Sequence, residues 1–128
     1  MEIRQGDIFW MDPPGLEQGI PHPYVVVQAD DLNRSLTTVS VCALTTNRKR
    51  ISLPGNLLLE PGEGNLPRYS VVEVSRQYTV EKSRLGEYIG SLSRKRVEQI
   101  LAGMRFVQRL MQRDGGESSI PPAGEENA

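Results

Sequence analysis

Gly15-Leu16-Glu17-Gln18-Gly19-Ile20-Pro21-His22-Pro23-Tyr24-Val25-Val26-Val27-Gln28, then Val39-Ser40-Val41-Cys42-Ala43-Leu44-Thr45-Thr46 after a polar interval, is the stretch from which the architecture can be worked out. A polar loop punctuated by Gly and Pro feeds a short apolar run. Asp30-Asp31-Leu32-Asn33-Arg34-Ser35 is expected to turn the chain, and a second apolar run ends in two hydroxyls. Apolar runs this short, bounded by turn residues, predict buried strands. Paired antiparallel, the two strands bring His22, at the start of one, toward Thr45, at the end of the other. His22 is the single histidine of the chain. Its neighbours Pro21 and Pro23 hold the backbone in extended geometry. That end of the hairpin is where chemistry is expected.

Upstream, Gly6-Asp7 opens a first strand in which Ile8 and Trp10 alternate with Phe9 and Met11. Core burial is the expectation for both Phe9 and Trp10, base stacking being the alternative. Asp12-Pro13-Pro14-Gly15 ends that strand, because proline donates no ladder hydrogen bond. Downstream, Thr45 to Arg50 forms a polar loop with three consecutive cations. Pro54-Gly55 turns into a short strand, Asn56 to Glu60, and Pro61-Gly62-Glu63-Gly64 turns again. Further strands are expected at Ser70 to Ser75 and at Tyr88 to Leu92. Many short strands separated by Gly/Pro turns predict a small barrel or a strongly curved sheet.

One long helix closes the fold, giving an α+β class. Ser93 is a suitable N-cap, and Val97, Ile100, Leu101, Met104, Val107, Leu110 and Met111 follow helical spacing. That stripe is expected to pack on the sheet, and Gly115-Gly116 to stop the helix. Residues 1–113 are read as one domain. Residues 114–128, rich in Ser, Pro, Gly and Glu, hold too little apolar surface to fold and are expected to be disordered.

Charge is unevenly spread along the 128 residues. Residues 1–113 carry all 15 Lys and Arg against 12 of the 16 Asp and Glu, a surplus of three positive charges; the tail holds the other four carboxylates. A mildly basic body permits a polyanionic partner. The single Cys42 excludes an internal disulfide and fits a reducing compartment. With one His and one Cys, no cluster stands at metal-ligand spacing, and neither a metal nor a cofactor is expected. The charged start and the lack of a long apolar run point to a cytoplasmic protein with no membrane partner.

The ordered set Gly6-Asp7-Ile8, Glu17-Gln18-Gly19, Val25-Val26-Val27-Gln28 with Asn33, and Ala43-Leu44-Thr45 resembles the MazF/PemK family. So do Pro54-Gly55-Asn56, Ser70-Val71-Val72, Thr79-Val80-Glu81-Lys82 and Ile89-Gly90-Ser91-Leu92. The resemblance covers residues 3 to about 112. It implies a small SH3-like β-barrel with helices, a homodimer, and the toxin of a type II toxin–antitoxin pair. It further implies a sequence-specific, metal-independent endoribonuclease cutting single-stranded RNA, restrained by a cognate small antitoxin. RNA supplies its own nucleophile, the 2′-OH, so the enzyme need only move protons and stabilise charge on the phosphate.

Carried onto this chain, the family's catalytic threonine matches Thr45, while its catalytic arginine is replaced by His22. Arginine stays charged and grips phosphate; an imidazole both takes and gives a proton. His22 is therefore the candidate general base or acid and Thr45 the phosphate contact, with a plain surface histidine as the alternative. Glu17 is a candidate for proton transfer or loop ordering. Gln18 is a candidate RNA contact or loop-ordering residue; Thr46, Asn47, Arg48, Lys49 and Arg50 are candidate RNA contacts, with a solvated loop as the alternative for the three cations. Arg76 stands where the family commonly has glutamine, and is read either as returning positive charge to the groove or as solvated. Leu16 replaces a usual serine. The competing function is a catalytically weak relative that acts by binding RNA or a protein such as gyrase, as CcdB does.

Overall fold

The computed structural model describes residues 2–15 and 19–117, with side chains as far as Gln112. Leu16, Glu17, Gln18 and residues 118–128 lie outside the described residues, so the expectations for Glu17, Gln18 and most of the acidic tail do too.

Six strands form one antiparallel sheet: β1 (Asp7–Met11), β2 (His22–Val26), β3 (Thr38–Thr45), β4 (Leu57–Leu59), β5 (Ser70–Glu81) and β6 (Tyr88–Ser91), in the order β4-β5-β3-β2-β1-β6. The sheet curls into a half-barrel, as expected. Its edge strands β4 and β6 are bridged by the 3-10 turn Glu63–Asn65. There the Asn65 amide donates to the Ile89 carbonyl at 3.0 Å. The approach is close enough that a Cβ on Gly90 would lie 2.3 Å from the Gly64 carbonyl oxygen. Only glycine fits at position 90.

Both faces of the central strands are buried, and alternation divides them into two cores. Ile8, Val25, Cys42, Leu44 and Val72 face the helix side, with Val97 and Ile100. Phe9, Met11, Tyr24, Val26, Val39, Val41 and Ala43 make the other core. Trp10 departs from the expectation of burial and stands 42% exposed. Its backbone stays bonded to Gly86 and Glu87, beyond the register shift between Ile8 and Phe9 in the β1–β6 ladder, while its side chain borders a surface hollow.

Three local expectations are corrected. Asp30–Ser35 is a short helix, α1, rather than a turn. Asp30 and Asp31 in its first turn and Arg34 in its last suit the helix dipole. Asn33 anchors it by donating to the Gln28 carbonyl at 2.9 Å. The cationic loop winds into a 3-10 helix, Arg48–Ser52, capped by Asn47, whose side chain accepts the Lys49 N–H. The strand expected to end at Ser75 continues to Glu81 through a bulge. Cys42 pairs with Gln77, yet the next residue, Ala43, pairs with Glu73, so Val74, Ser75 and Arg76 are extra on β5. Asn56 stabilises that bulge: its Oδ1 accepts the Val74 N–H at 3.0 Å and its amide donates to the Arg50 carbonyl at 2.9 Å.

The long helix α2 spans Arg94–Glu117. Ser93 caps it, its Oγ accepting the Arg96 N–H at 3.2 Å. The helix does not stop at Gly115-Gly116, because glycine costs a helix about 1 kcal/mol relative to alanine without forbidding it. Val97 and Ile100 are buried, but Met111 is 68% exposed. At about 1.5 Å per residue the helix runs about 36 Å, and the expected stripe packs on the core through Leu101, Met104 and Val107 but not at Met111. Arg96 ties the helix to the turn after β4 by donating from Nε and Nη2 to the two carboxylate oxygens of Glu63, at 2.8 Å each.

Candidate active site

Strand register builds the site. Tyr24 of β2 pairs with Ala43 of β3, and the same register continued by two residues sets His22 against Thr45. Ala43 pairs in turn with Glu73 of β5. Residues opposite each other in antiparallel strands share a face. The face that is apolar at Val26 and Val41 therefore becomes polar at its other end, where it carries His22, Thr45 and Glu73. A cleft of about 160 Å³ opens there, lined by Pro13, His22, Tyr24, Ala43, Leu44, Thr45, Glu73 and Arg76. The β5 bulge is what admits Arg76.

His22 is exposed, and its side chain has no partner among the described residues. Thr45 is half-buried, and its Oγ1 accepts the Asn47 N–H at 3.2 Å. That bond orients the hydroxyl and leaves its proton to donate. Glu73, whose side chain is 3% exposed, forms the floor. Its Oε1 accepts from Arg50 Nε at 2.9 Å, and Oε2 lies 3.5 Å from Arg76 Nη1. A carboxylate so deeply placed requires such partners.

The site residues read from sequence thus separate. His22, Thr45 and Arg76 share the cleft. Arg50 turns inward to Glu73 and is not a free cation of the loop. Lys49 is exposed. Thr46 and Arg48 line a neighbouring hollow of about 300 Å³, with Arg48 over the Tyr69 ring at 4.3 Å. Asn47 serves as a cap and as the donor to Thr45. Sequence reasoning missed Glu73, although a lone acid inside Val71-Val72-Glu73-Val74 was the available signal. Tyr69 and Arg68 carried none. Trp10 borders another hollow, of about 540 Å³, together with Met11, Asp12 and Pro21 beside His22.

Sequence and fold comparisons place the chain among known proteins. The model of the PemK-like, MazF-like toxins of type II toxin–antitoxin systems matches residues 4–107. The chain belongs to that family. It is 32% identical over 114 residues to Endoribonuclease MazF6 of Mycobacterium tuberculosis, covering 86% of this chain and 100% of that protein. It is 31% identical over 101 residues to Endoribonuclease MazF of Staphylococcus saprophyticus, covering 77% of this chain and 84% of that one. In fold it is similar to a mycobacterial endoribonuclease solved with its cognate antitoxin, with TM-score 0.70, 24% identity, and coverage of 84% and 96%. MazF of Deinococcus radiodurans is a further neighbour, with TM-score 0.67, 18% identity, and coverage of 85% and 98%.

Electrostatics narrows what each group of this MazF-type toxin can do. Burial raises the Tyr24 phenol above its ordinary range, with Tyr78 adding to the effect and Arg76 opposing it. Tyr24 is therefore a neutral hydrogen-bond donor. A hydrogen bond to the Tyr78 hydroxyl leads the causes that hold Arg76 above the ordinary arginine value, so it is a permanent cation. Burial pushes the Cys42 thiol up to about 12, which leaves it inert. Among the described residues no group of three or more His, Cys, Asp and Glu side chains is arranged to hold a metal ion.

Proposed function

We propose that this toxin cleaves single-stranded RNA in the His22–Thr45 cleft, by attack of a ribose 2′-oxygen on the adjacent phosphorus. The bond from the 2′-oxygen to phosphorus forms and the bond from phosphorus to the 5′-oxygen breaks. His22 takes the 2′-hydroxyl proton, and the departing 5′-oxygen takes a proton from solvent water. The products carry a 2′,3′-cyclic phosphate and a 5′-hydroxyl. Thr45 donates its hydroxyl to a non-bridging phosphate oxygen, and Arg76 supplies the fixed positive charge that His22 lacks when neutral. The meeting of His22, Thr45 and Arg76 in one cleft carries this reading.

For Glu17 we propose proton transfer or loop ordering, and for Gln18 loop ordering or an RNA contact. Thr46, Asn47, Arg48 and Lys49 flank the cleft as contacts to the RNA backbone, Arg50 acting through Glu73. The restraining partner is a small antitoxin, by likeness to the neighbours solved with theirs. A homodimer fits the exposed Phe106 and Met111 on α2. An RNA target suits action in the cytoplasm. Among the described residues no helix is long and apolar enough to cross a membrane.

The test is incubation with a kilobase-length transcript in the presence of a chelator. Discrete cuts ending in 2′,3′-cyclic phosphate are expected. Intact RNA, or cuts that need an added divalent metal, would remove this mechanism; inhibition of gyrase without RNA cuts would favour the binding relative instead.

A further inference from the structure

Beside the cleft lies the hollow of about 300 Å³ lined by Thr46, Arg48, Pro61, Arg68 and Tyr69. The two hollows share no lining residue, but they adjoin along the chain. Thr46 follows Thr45 in the chain, and Thr45 pairs with Val71, two residues beyond Tyr69. The Arg48 guanidinium sits 4.3 Å from the Tyr69 ring centroid, yet that ring remains 39% exposed. Arg48 and Arg68 are both exposed, and among the described residues no carboxylate lines the hollow.

We propose that this hollow is a nucleotide subsite next to the scissile phosphate. The Tyr69 ring stacks on one base, and Arg48 and Arg68 hold the flanking phosphates. An aromatic face is a platform for any base, and a guanidinium over the ring adds a cation to the stack. Two cations with no opposing acid match the charge of an RNA backbone. An apolar peptide would find only Pro61 and the ring itself to bury against, so RNA is the occupant the lining favours. This inference rests on the RNA-cleaving function proposed above, and it adds Tyr69 and Arg68 to the residues that bind substrate.

The experiment compares the full chain with Tyr69→Ala, Tyr69→Phe and Arg68→Gln. Cuts in a kilobase-length transcript are mapped by sequencing 5′ ends, and KM and kcat are measured on a short oligoribonucleotide spanning the preferred cut. Binding of that oligonucleotide is read by fluorescence anisotropy in a Thr45→Val background. Tyr69→Ala is expected to weaken binding by roughly tenfold to a hundredfold, the usual effect of removing a stacking ring, and to relax base preference at one position. Tyr69→Phe keeps the ring and should retain both. Arg68→Gln should lower the salt slope of binding by about 0.7, one phosphate contact on a single strand. Unchanged binding and cut distribution in Tyr69→Ala would overturn the subsite. So would loss of antitoxin affinity alone, which would assign the hollow to a protein. A chain that binds RNA through Tyr69 but cuts none overturns only the nuclease function.

Discussion

Arg50 Nε lies 2.9 Å from Glu73 Oε1, so a cation from the loop after β3 is drawn into the floor of the cleft that His22 and Thr45 line. Glu73 is almost wholly enclosed while Arg50 keeps 41% side-chain exposure. Removing Arg50 leaves Arg76, at 3.5 Å, as the remaining partner. Arg50→Ala should therefore destabilise by about 1–3 kcal/mol, the range for a weakened charge-assisted bond to a buried group. Glu73→Gln, which still accepts a hydrogen bond, should cost less. Urea midpoints of the two variants check the order; equal or reversed losses would mean that Glu73 does not need its arginine.

His22 is the residue on which turnover depends in the proposed reaction. His22→Ala should lower kcat by about 10²- to 10⁴-fold, the usual contribution of a positioned acid or base. Since the imidazole is exposed, the unfolding midpoint should hardly move. His22→Arg installs a side chain charged at every accessible pH, so whatever rate it retains should vary little between pH 5 and 8. A pH–rate profile of the two variants decides; unchanged turnover in His22→Ala removes His22 from the chemistry.

Thr45 has one hydroxyl, which accepts from the Asn47 N–H and, in the proposed reaction, donates to the phosphate. Thr45→Val keeps the shape and loses both. A fall in kcat of about 10²-fold is expected, on the scale of removing one transition-state donor. Thr45→Ser should recover most of it. A variant series in which Val equals wild type would mean that the phosphate is held elsewhere.

Glu63 and Arg96 predict a pH-dependent part of stability. The hydrogen bond from Arg96 is the largest cause holding the Glu63 carboxyl below the usual range, with burial opposing it. A depressed folded-state value means that the contribution is fully present above the unfolded carboxyl value of about 4.3, and is lost as pH falls through the lower folded value. Arg96→Ala should cost about 1–2 kcal/mol at pH 7, as for a partly buried charge-assisted pair, and much less at pH 3. Urea unfolding at the two pH values checks it; a constant difference would show that Arg96 acts through packing alone.

Gly103 marks where α2 meets the Pro54-Gly55 turn. A Cβ there would sit 2.3 Å from the Gly55 carbonyl oxygen, which is backbone and cannot swing aside. Gly103→Ala should therefore lower stability by about 1–3 kcal/mol through overpacking, despite alanine's better helix propensity. A raised thermal midpoint would contradict the close approach.

The strands, the helix and its cap were legible because their signals are local. Val25-Val26-Val27 and Val39 to Leu44 bury themselves by apolar content and end at turn residues, and Ser93 caps the helix that follows it in the chain. The order of these elements, with Gly/Pro turns between them, sufficed for a curved antiparallel sheet with one long helix. That His22 and Thr45 meet at one end of the hairpin was also legible, since a single hairpin register governs it. Tertiary structure alone decided which charges belong to the cleft. Arg76 enters because β5 carries three extra residues opposite β3, Arg50 leaves the loop because Glu73 is buried beneath it, and Arg48 meets Tyr69 across a turn. Each depends on register and burial between segments far apart in the chain, and no local pattern of residue types encodes either.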